Sequence, residues 1–174
     1  MSGLSDEELV AKTLGGSEDA ASELFRRYWA PSWRAAVAIV GRQAAADDVA
    51  QDAFQRAFQA LPQFDPTRSF GAWLYRIVIN RALDFIRSER RLVALEQHEN
   101  GTLDALEQQL HDQEVLTALG RLDPERRAII ALRYWLDYSP AEIADLLEVP
   151  VGTVSSRLSR ALSELRTELE ANHV

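Results

Sequence analysis

Residues 70–91, FGAWLYRIVINRALDFIRSERR, constrain the fold of this chain more than any other stretch. No proline interrupts them and their only glycine falls in the first turn, so they read as one long helix. Phe70, Leu74, Ile77, Val78 and Phe85 recur at helical spacing and predict a buried stripe. The opposite face carries Trp73, Arg76, Asn80, Leu83, Arg87 and Arg91. Between Arg68 and Arg91 six arginines stand against Asp84 and Glu89, in a chain whose net charge is −8. A basic face with an exposed aromatic and an asparagine, inside an acidic protein, points to local contact with nucleic acid. Arginine neutralises phosphates, and Asn80 and Trp73 suit base edges or base faces.

The acidic total excludes a histone-like coating of DNA, so any affinity must be local and supplemented by a partner. The 47% apolar content fits a globular chain of 174 residues with one proper core or two small ones. There are no cysteines, which removes disulfides, thiolate metal sites and thiol redox sensing. No apolar run reaches the roughly 18 residues of a membrane span. The N-terminus MSGLSDEELV lacks a signal core, so a cytoplasmic location is expected.

Nearly every other segment also shows a 3.6-residue period, which predicts an all-α protein. Ser5 and Glu8 form a capping box ahead of the first helix, and Gly15-Gly16 ends it. Ser17 caps the second helix, Pro31 is expected to break or kink its path, and Gly41 closes it. Residues 44–61 form a third helix with Val49, Ala53, Ala57 and Leu61 turned inward. Asp48, Gln51, Asp52 and Gln55 share another side, either as a solvated face or as a docking surface. The loop 62–69 is bracketed by prolines, anchored by Phe64 and closed by Ser69 as an N-cap.

Residues 92–120 carry six carboxylates and no Arg or Lys, and the domain boundary is placed within 92–113 as an acidic linker. Leu103, Leu106 and Leu110 suggest some helix there. Residues 1–91 form the first domain and 114–174 a second helical one. Asp123-Pro124 opens a helix, Asp137 takes a left-handed turn position, and Ser139, Pro140 and Glu142 make a second capping box. The short helix 140–148 buries Ile143, Ala144 and Leu147. The turn VPVG then leads into a helix starting near Thr153, with Val154, Leu158, Ala161, Leu162 and Leu165 facing inward. That grammar is a helix-turn-helix. The start of its second helix offers Thr153, Ser155, Ser156, Arg157 and Arg160 to base edges and phosphates.

DDVAQDAFQRAF, then the 70–91 helix, then LDPERRAIIALRY and YSPAEIADLLEVPVGTVSSRLSRAL together resemble a bacterial RNA polymerase sigma factor of the extracytoplasmic-function (ECF) group. The resemblance covers roughly residues 5–168. It implies that Asp48, Gln51, Asp52 and Gln55 dock on the β′ clamp helices of core RNA polymerase. It implies that Phe64, Trp73, Arg76, Asn80, Arg81, Arg87, Arg90 and Arg91 recognise and melt the minus-10 element. Thr153, Ser155, Ser156, Arg157 and Arg160 would read the minus-35 element, and apolar residues near Leu132–Leu136 would meet the β flap. The acidic linker would thread the polymerase's RNA path, and an anti-sigma factor is an expected partner. The chain departs from the family's usual pattern with serine at 155 and 163, where basic residues are common, and with a single tryptophan at 73–74.

Rival readings are a stand-alone helix-turn-helix regulator, a polymerase decoy that opens no DNA, and a metal protein or enzyme. The last would rest on His98, Glu99, Glu107, His111 and Asp112, which lack a third ligand on a rigid element. No phosphate loop, nucleophile elbow or carboxylate pair is present, so no catalysis, cofactor or metal is expected.

Overall fold

The computed structural model describes residues 3–96 and 113–171, and every regular element among them is helical. Four helices build the first module: α1 (Asp6–Leu14), α2 (Glu18–Val40), α3 (Gln43–Ala60) and α4 (Phe70–Glu96). Four more build the second: α5 (Gln113–Arg121), α6 (Pro124–Ile130), α7 (Pro140–Leu147) and α8 (Val151–Ala171). α4 continues five residues past Arg91, and α5 begins at Gln113, so both helices reach into the span read as a linker. The proposed helix over Leu103, Leu106 and Leu110 lies outside the described residues.

The helix starts follow the local chemistry. Ser5 and Glu8 exchange both capping-box hydrogen bonds, as do Ser139 and Glu142. Asp123 Oδ1 accepts from Glu125 N at 2.9 Å ahead of Pro124, which needs no N–H at that position. α2 ends at Gly41, whose φ of 81° lets its N–H reach back to the Val37 carbonyl at 2.7 Å.

Pro31 does not break α2, which runs 23 residues straight through it. A mid-helix proline forfeits one backbone hydrogen bond, at about 3 kcal/mol. Leu24 on one side and Trp33, Val37, Ile39 and Val40 on the other are buried. Each such side chain contributes about 1.5–3 kcal/mol when removed from water, so packing wins.

α2, α3 and α4 pack mutually, with α1 laid on α2. Their core holds Leu24, Val37, Ile39, Leu74, Val78 and Ile79, all at or near zero exposure. Side chains tie the helices at their rims. Trp33 Nε1 donates to Asp47, Tyr28 donates to Asp6, and Arg42 pairs with Glu89. The stripe on α4 is broader than its sequence suggests. Tyr75, Ile79, Ala82, Leu83 and Ile86 are buried, while Ile77 and Phe85 are only partly so. Leu83, expected on the basic face, is core, because α4 is covered from two sides.

After α6 the chain widens into a π-helical stretch, Ala131–Trp135, closed by Leu136 N on the Ala131 carbonyl at 3.1 Å. Asp137 then takes φ 56°, as its sequence context predicts. The second left-handed position belongs to Glu148, at φ 55°, rather than to Gly152, which sits in the first turn of α8. Leu146 is buried and Leu147 only partly, and Leu162, expected inward, is 36% exposed.

The two modules are packed together. α2 meets α6 and the π stretch, and α4 meets α6 and α7. One continuous apolar cluster runs from Leu9 through Ile86 to Ile129, Leu132, Ile143 and Val154. A separate small cluster of Leu119, Leu122, Ile130 and Ala161 holds the second module to itself.

Candidate nucleic-acid interface

The basic face of α4 begins at a rigid aromatic corner. Ser69 Oγ accepts from Ala72 N at 3.3 Å and fixes the first turn. Phe64 is buried and packs its ring against Trp73 at 5.0 Å between centroids and against Phe70 at 5.8 Å. Phe70 meets Trp73 at 5.7 Å. Trp73 is therefore half-buried rather than freely exposed, with one part of its indole turned to a cleft. Phe64 anchors the loop beneath it, as its position in 62–69 predicts.

Beyond the corner, Asn80, Arg87, Arg90 and Arg91 are exposed and Arg76 is half-buried. Arg90 and Arg91 have no ion pair among the described residues. Arg81 stands apart from this row. It leans across to α3 and pairs with Asp52, which also accepts from Arg56 Nε at 2.9 Å. Burial raises the Asp52 carboxyl, but the hydrogen bonds from Arg56 and Arg81 outweigh it and hold the group below the ordinary carboxylate range. Arg81 thus joins two helices, and Asp52 is engaged within the chain. Asp48, Gln51 and Gln55 remain exposed along α3.

In the second module, α7 and α8 form the expected helix-turn-helix. Ser155, Ser156 and Arg160 are exposed, and Thr153 and Arg157 partly so. Ser156 Oγ donates to the Thr153 carbonyl at 3.0 Å, so one hydroxyl is turned back on its own helix. Arg157 Nη1 lies 3.0 Å from Glu125 on α6. Arg157 and Arg160 line a recess of about 300 Å³ with Asp123, Glu125 and Arg126. Leu132 is fully buried and presents no surface, whereas Tyr134 is exposed at the same bend.

The structure sets the start of α4 against α7, and links Arg87 and Arg157 through Glu125, at a seam the sequence does not foretell. A cleft of about 550 Å³ has Arg68, Trp73 and Arg76 on one wall and Tyr138, Glu142 and Glu148 on the other. Arg76 pairs with Glu148, and Tyr75 meets Tyr138 edge-to-face at 6.1 Å. Arg87 Nη2 stands 3.7 Å from the same Glu125 that holds Arg157. Glu125, Glu148 and Tyr138 lie inside the quoted LDPERRAIIALRY and YSPAEIADLLEVPVG stretches, but only the packing of the modules shows where they stand. Among the described residues no cluster of three His, Asp or Glu could hold a metal. His98, Glu99, Glu107, His111 and Asp112 lie outside them. No described helix is long and apolar enough to cross a membrane.

Residues 24–92 match the Sigma-70 region 2 family, and residues 112–165 match Sigma-70 region 4. The chain is 31% identical over 170 residues to the ECF RNA polymerase sigma factor SigW of Bacillus subtilis, spanning 88% of this chain and 91% of the relative. It is 34% identical over 182 residues to the RNA polymerase sigma factor CnrH of Cupriavidus metallidurans, spanning 96% and 95%. Among solved structures, CnrH in complex with the cytosolic domain of CnrY superposes with a TM-score of 0.72 at 30% identity, covering 95% of this chain and 97% of that one. The sigma factor RpoE from Bartonella quintana, in complex with the anti-sigma factor NepR, gives 0.73 at 25% identity, covering 88% and 98%.

Proposed function

Because this chain belongs to the ECF RNA polymerase sigma factors, we propose that it directs core polymerase to promoters with a division of labour between its two faces. The α4 face, through Trp73, Arg76, Asn80, Arg87, Arg90 and Arg91, with buried Phe64 backing Trp73 from the preceding loop, recognises the minus-10 element and opens the strands. The start of α8, through Thr153, Ser155, Ser156, Arg157 and Arg160, reads the minus-35 element as duplex. Asp48, Gln51 and Gln55 on α3 dock on the β′ clamp helices, and Arg81 with Asp52 keeps that surface in register with α4. Tyr134 rather than Leu132 is the apolar contact for the β flap. The chain acts in the cytoplasm, carries no catalysis of its own, and leaves phosphodiester chemistry to the polymerase.

One observation supports this reading above the rest. A capped, rigid aromatic corner leads directly into a row of exposed arginines and an asparagine on a single helix. Stacking surfaces next to phosphate-neutralising groups suit an unpaired strand. By analogy with CnrH, seen with the cytosolic domain of CnrY, and RpoE, seen with NepR, an anti-sigma factor controls access to these faces.

Run-off transcription with purified bacterial core polymerase on a genomic library tests the proposal. The wild type should initiate at discrete sites. Arg76→Ala with Asn80→Ala should bind core normally yet fail to form open complexes. Undiminished opening by that variant refutes the minus-10 assignment. Tight, core-independent binding to one duplex site would instead favour a stand-alone regulator.

A further inference from the structure

We propose that Asp6 and Tyr28 are positioning residues for minus-10 reading: a hydrogen bond between the first two helices sets the angle at which Trp73 is presented. The inference rests on the assignment of Trp73 to that element.

The path runs from α1 to the aromatic corner through a short series of contacts. Tyr28 of α2 donates its phenol proton to Asp6, in the first turn of α1. Arg27 grips the other Asp6 oxygen and also donates to the Leu4 carbonyl at 3.1 Å, so the start of α1 is fixed on α2. The half-buried Tyr28 ring meets Phe70 edge-to-face at 5.3 Å and Tyr75 at 5.8 Å. It also lies on the backbone of the first turn of α4, where Gly71 has no side chain to hold it off. Phe70 in turn meets Trp73 at 5.7 Å and Phe64 at 5.8 Å. α1 reaches the corner from the loop side as well, since it touches the 3₁₀ turn Leu61–Gln63 that delivers Phe64.

Ring contacts alone leave tilt loosely defined, because aromatic pairs are favourable over centroid separations of about 4.5–7 Å. A hydrogen bond is directional and weakens steeply as it bends. The Tyr28 phenol therefore supplies a restraint that the Phe64 and Phe70 rings cannot. Burial first, then Asp6, hold that phenol above its ordinary range, so it remains a donor. Stacking of a base on an aromatic ring strengthens binding by about 5- to 150-fold, and it depends on the two faces lying parallel. A tilt passed from Tyr28 through Phe70 to Trp73 lowers that factor without touching nucleic acid directly.

The chain carries four tryptophans, so 5-fluorotryptophan gives four fluorine resonances, and the one lost in Trp73→Phe belongs to Trp73. In the full-length protein, Tyr28→Phe and Asp6→Ala should shift the Trp73 line and leave that of Trp135, in the second module, in place. Asp6→Asn should restore it, because either end of the amide can bond the phenol. Asp6→Ala and Asp6→Asn remove the same charge, so their difference isolates the hydrogen bond. The second readout uses each variant bound to core polymerase. A single-stranded oligonucleotide carrying the minus-10 segment of a promoter from the run-off screen is compared with its scrambled sequence. The matched-to-scrambled binding ratio should fall by about 3- to 10-fold in Tyr28→Phe and Asp6→Ala, a part of the stacking factor, with affinity for core unchanged. Arg42→Gln cuts another tie of the same bundle, to Glu89 near the far end of α4, and controls for general loosening. An unmoved Trp73 line in Tyr28→Phe overturns the proposal. So does a fall in the ratio no larger than that of Arg42→Gln. If Trp73→Ala itself leaves the ratio intact, the minus-10 assignment fails, whereas the fluorine line reports on the Asp6–Tyr28 tether independently, so the two failures are separable.

Discussion

Replacing Arg127 with methionine should make the protein more stable. Arg127 lies in α6 with 6% of its surface exposed, and its Nε finds no acceptor. Burial pushes the guanidinium down to about 10, Arg90 pushes in the same direction, and Asp123 only partly offsets them. An unsatisfied buried donor costs about 1–3 kcal/mol. That fall from the ordinary guanidinium range corresponds to roughly 3 kcal/mol against the charged form. Methionine keeps most of the aliphatic stem that fills the site, so little packing is lost. The expected net gain is about 1–3 kcal/mol, with Tm rising by about 2–4 °C for each kcal/mol at this chain length. Urea titration followed by circular dichroism should show a higher midpoint with an unchanged m value. The sign in alkali follows from linkage. Arg127 binds its proton less tightly folded than unfolded, so its penalty is complete below about pH 10 and fades as pH rises above that. The advantage of Arg127→Met should shrink over that window. A variant no more stable than wild type at neutral pH would mean that Arg127 is satisfied where it lies, and the reasoning would fail.

Gly71→Ala should destabilise by about 1–3 kcal/mol despite alanine's better helix propensity. Its Cβ would stand 2.9 Å from Tyr28 Cε1 and 3.2 Å from the hydroxyl. That ring cannot step aside, being packed against Phe70 and Tyr75 and bonded to Asp6; a raised Tm would refute the clash. Asp52→Asn should lower the neutral-pH unfolding midpoint. Asp52 titrates below its ordinary 3.8 in the folded state, so its contribution is present above that value and lost as pH falls through the lower folded one. Wild type and variant should converge in acid, and a gap that stays constant would show that the Arg56 and Arg81 contacts contribute nothing.

Local signals carried most of the fold. Both capping boxes, the Asp123-Pro124 start, the left-handed Asp137 and the Gly41 stop depend on neighbours within a few residues, and each is found as expected. What sequence misjudged was set by packing from a distance. Pro31 is carried within α2 because the helix is buried on both sides of it. Leu83 is core because α4 is enclosed more widely than one stripe. The π stretch at Ala131–Trp135 leaves no composition signal, since one extra residue in a turn looks like ordinary helix. For the candidate site, the exposed Asn80, Arg87, Arg90 and Arg91 on α4 and Ser155, Ser156 and Arg160 on α8 were legible as surface residues from type and spacing. The carboxylate partners of Arg87 and Arg76 were not, because Glu125 and Glu148 lie 38 and 72 residues from them and resemble any surface glutamate.

The acidic balance of a DNA-reading chain has a physical use in this arrangement. A net charge of −8 repels duplex DNA at long range, so the isolated protein gains little from non-specific phosphate contact. The local arginine rows reverse that sign only within about a Debye length. At that range Arg76, Arg87 and Arg157 already have intramolecular carboxylates. Both terms act against wandering on the genome, and they act through different distances. Binding to core polymerase changes the balance without adding a base contact. It holds the chain beside promoter DNA at high effective concentration, where short-range exchange of carboxylate for phosphate competes on equal terms. On the proposed site, the intramolecular carboxylates paired with Arg76, Arg87 and Arg157 count against a phosphate partner as directly as the arginines count for it.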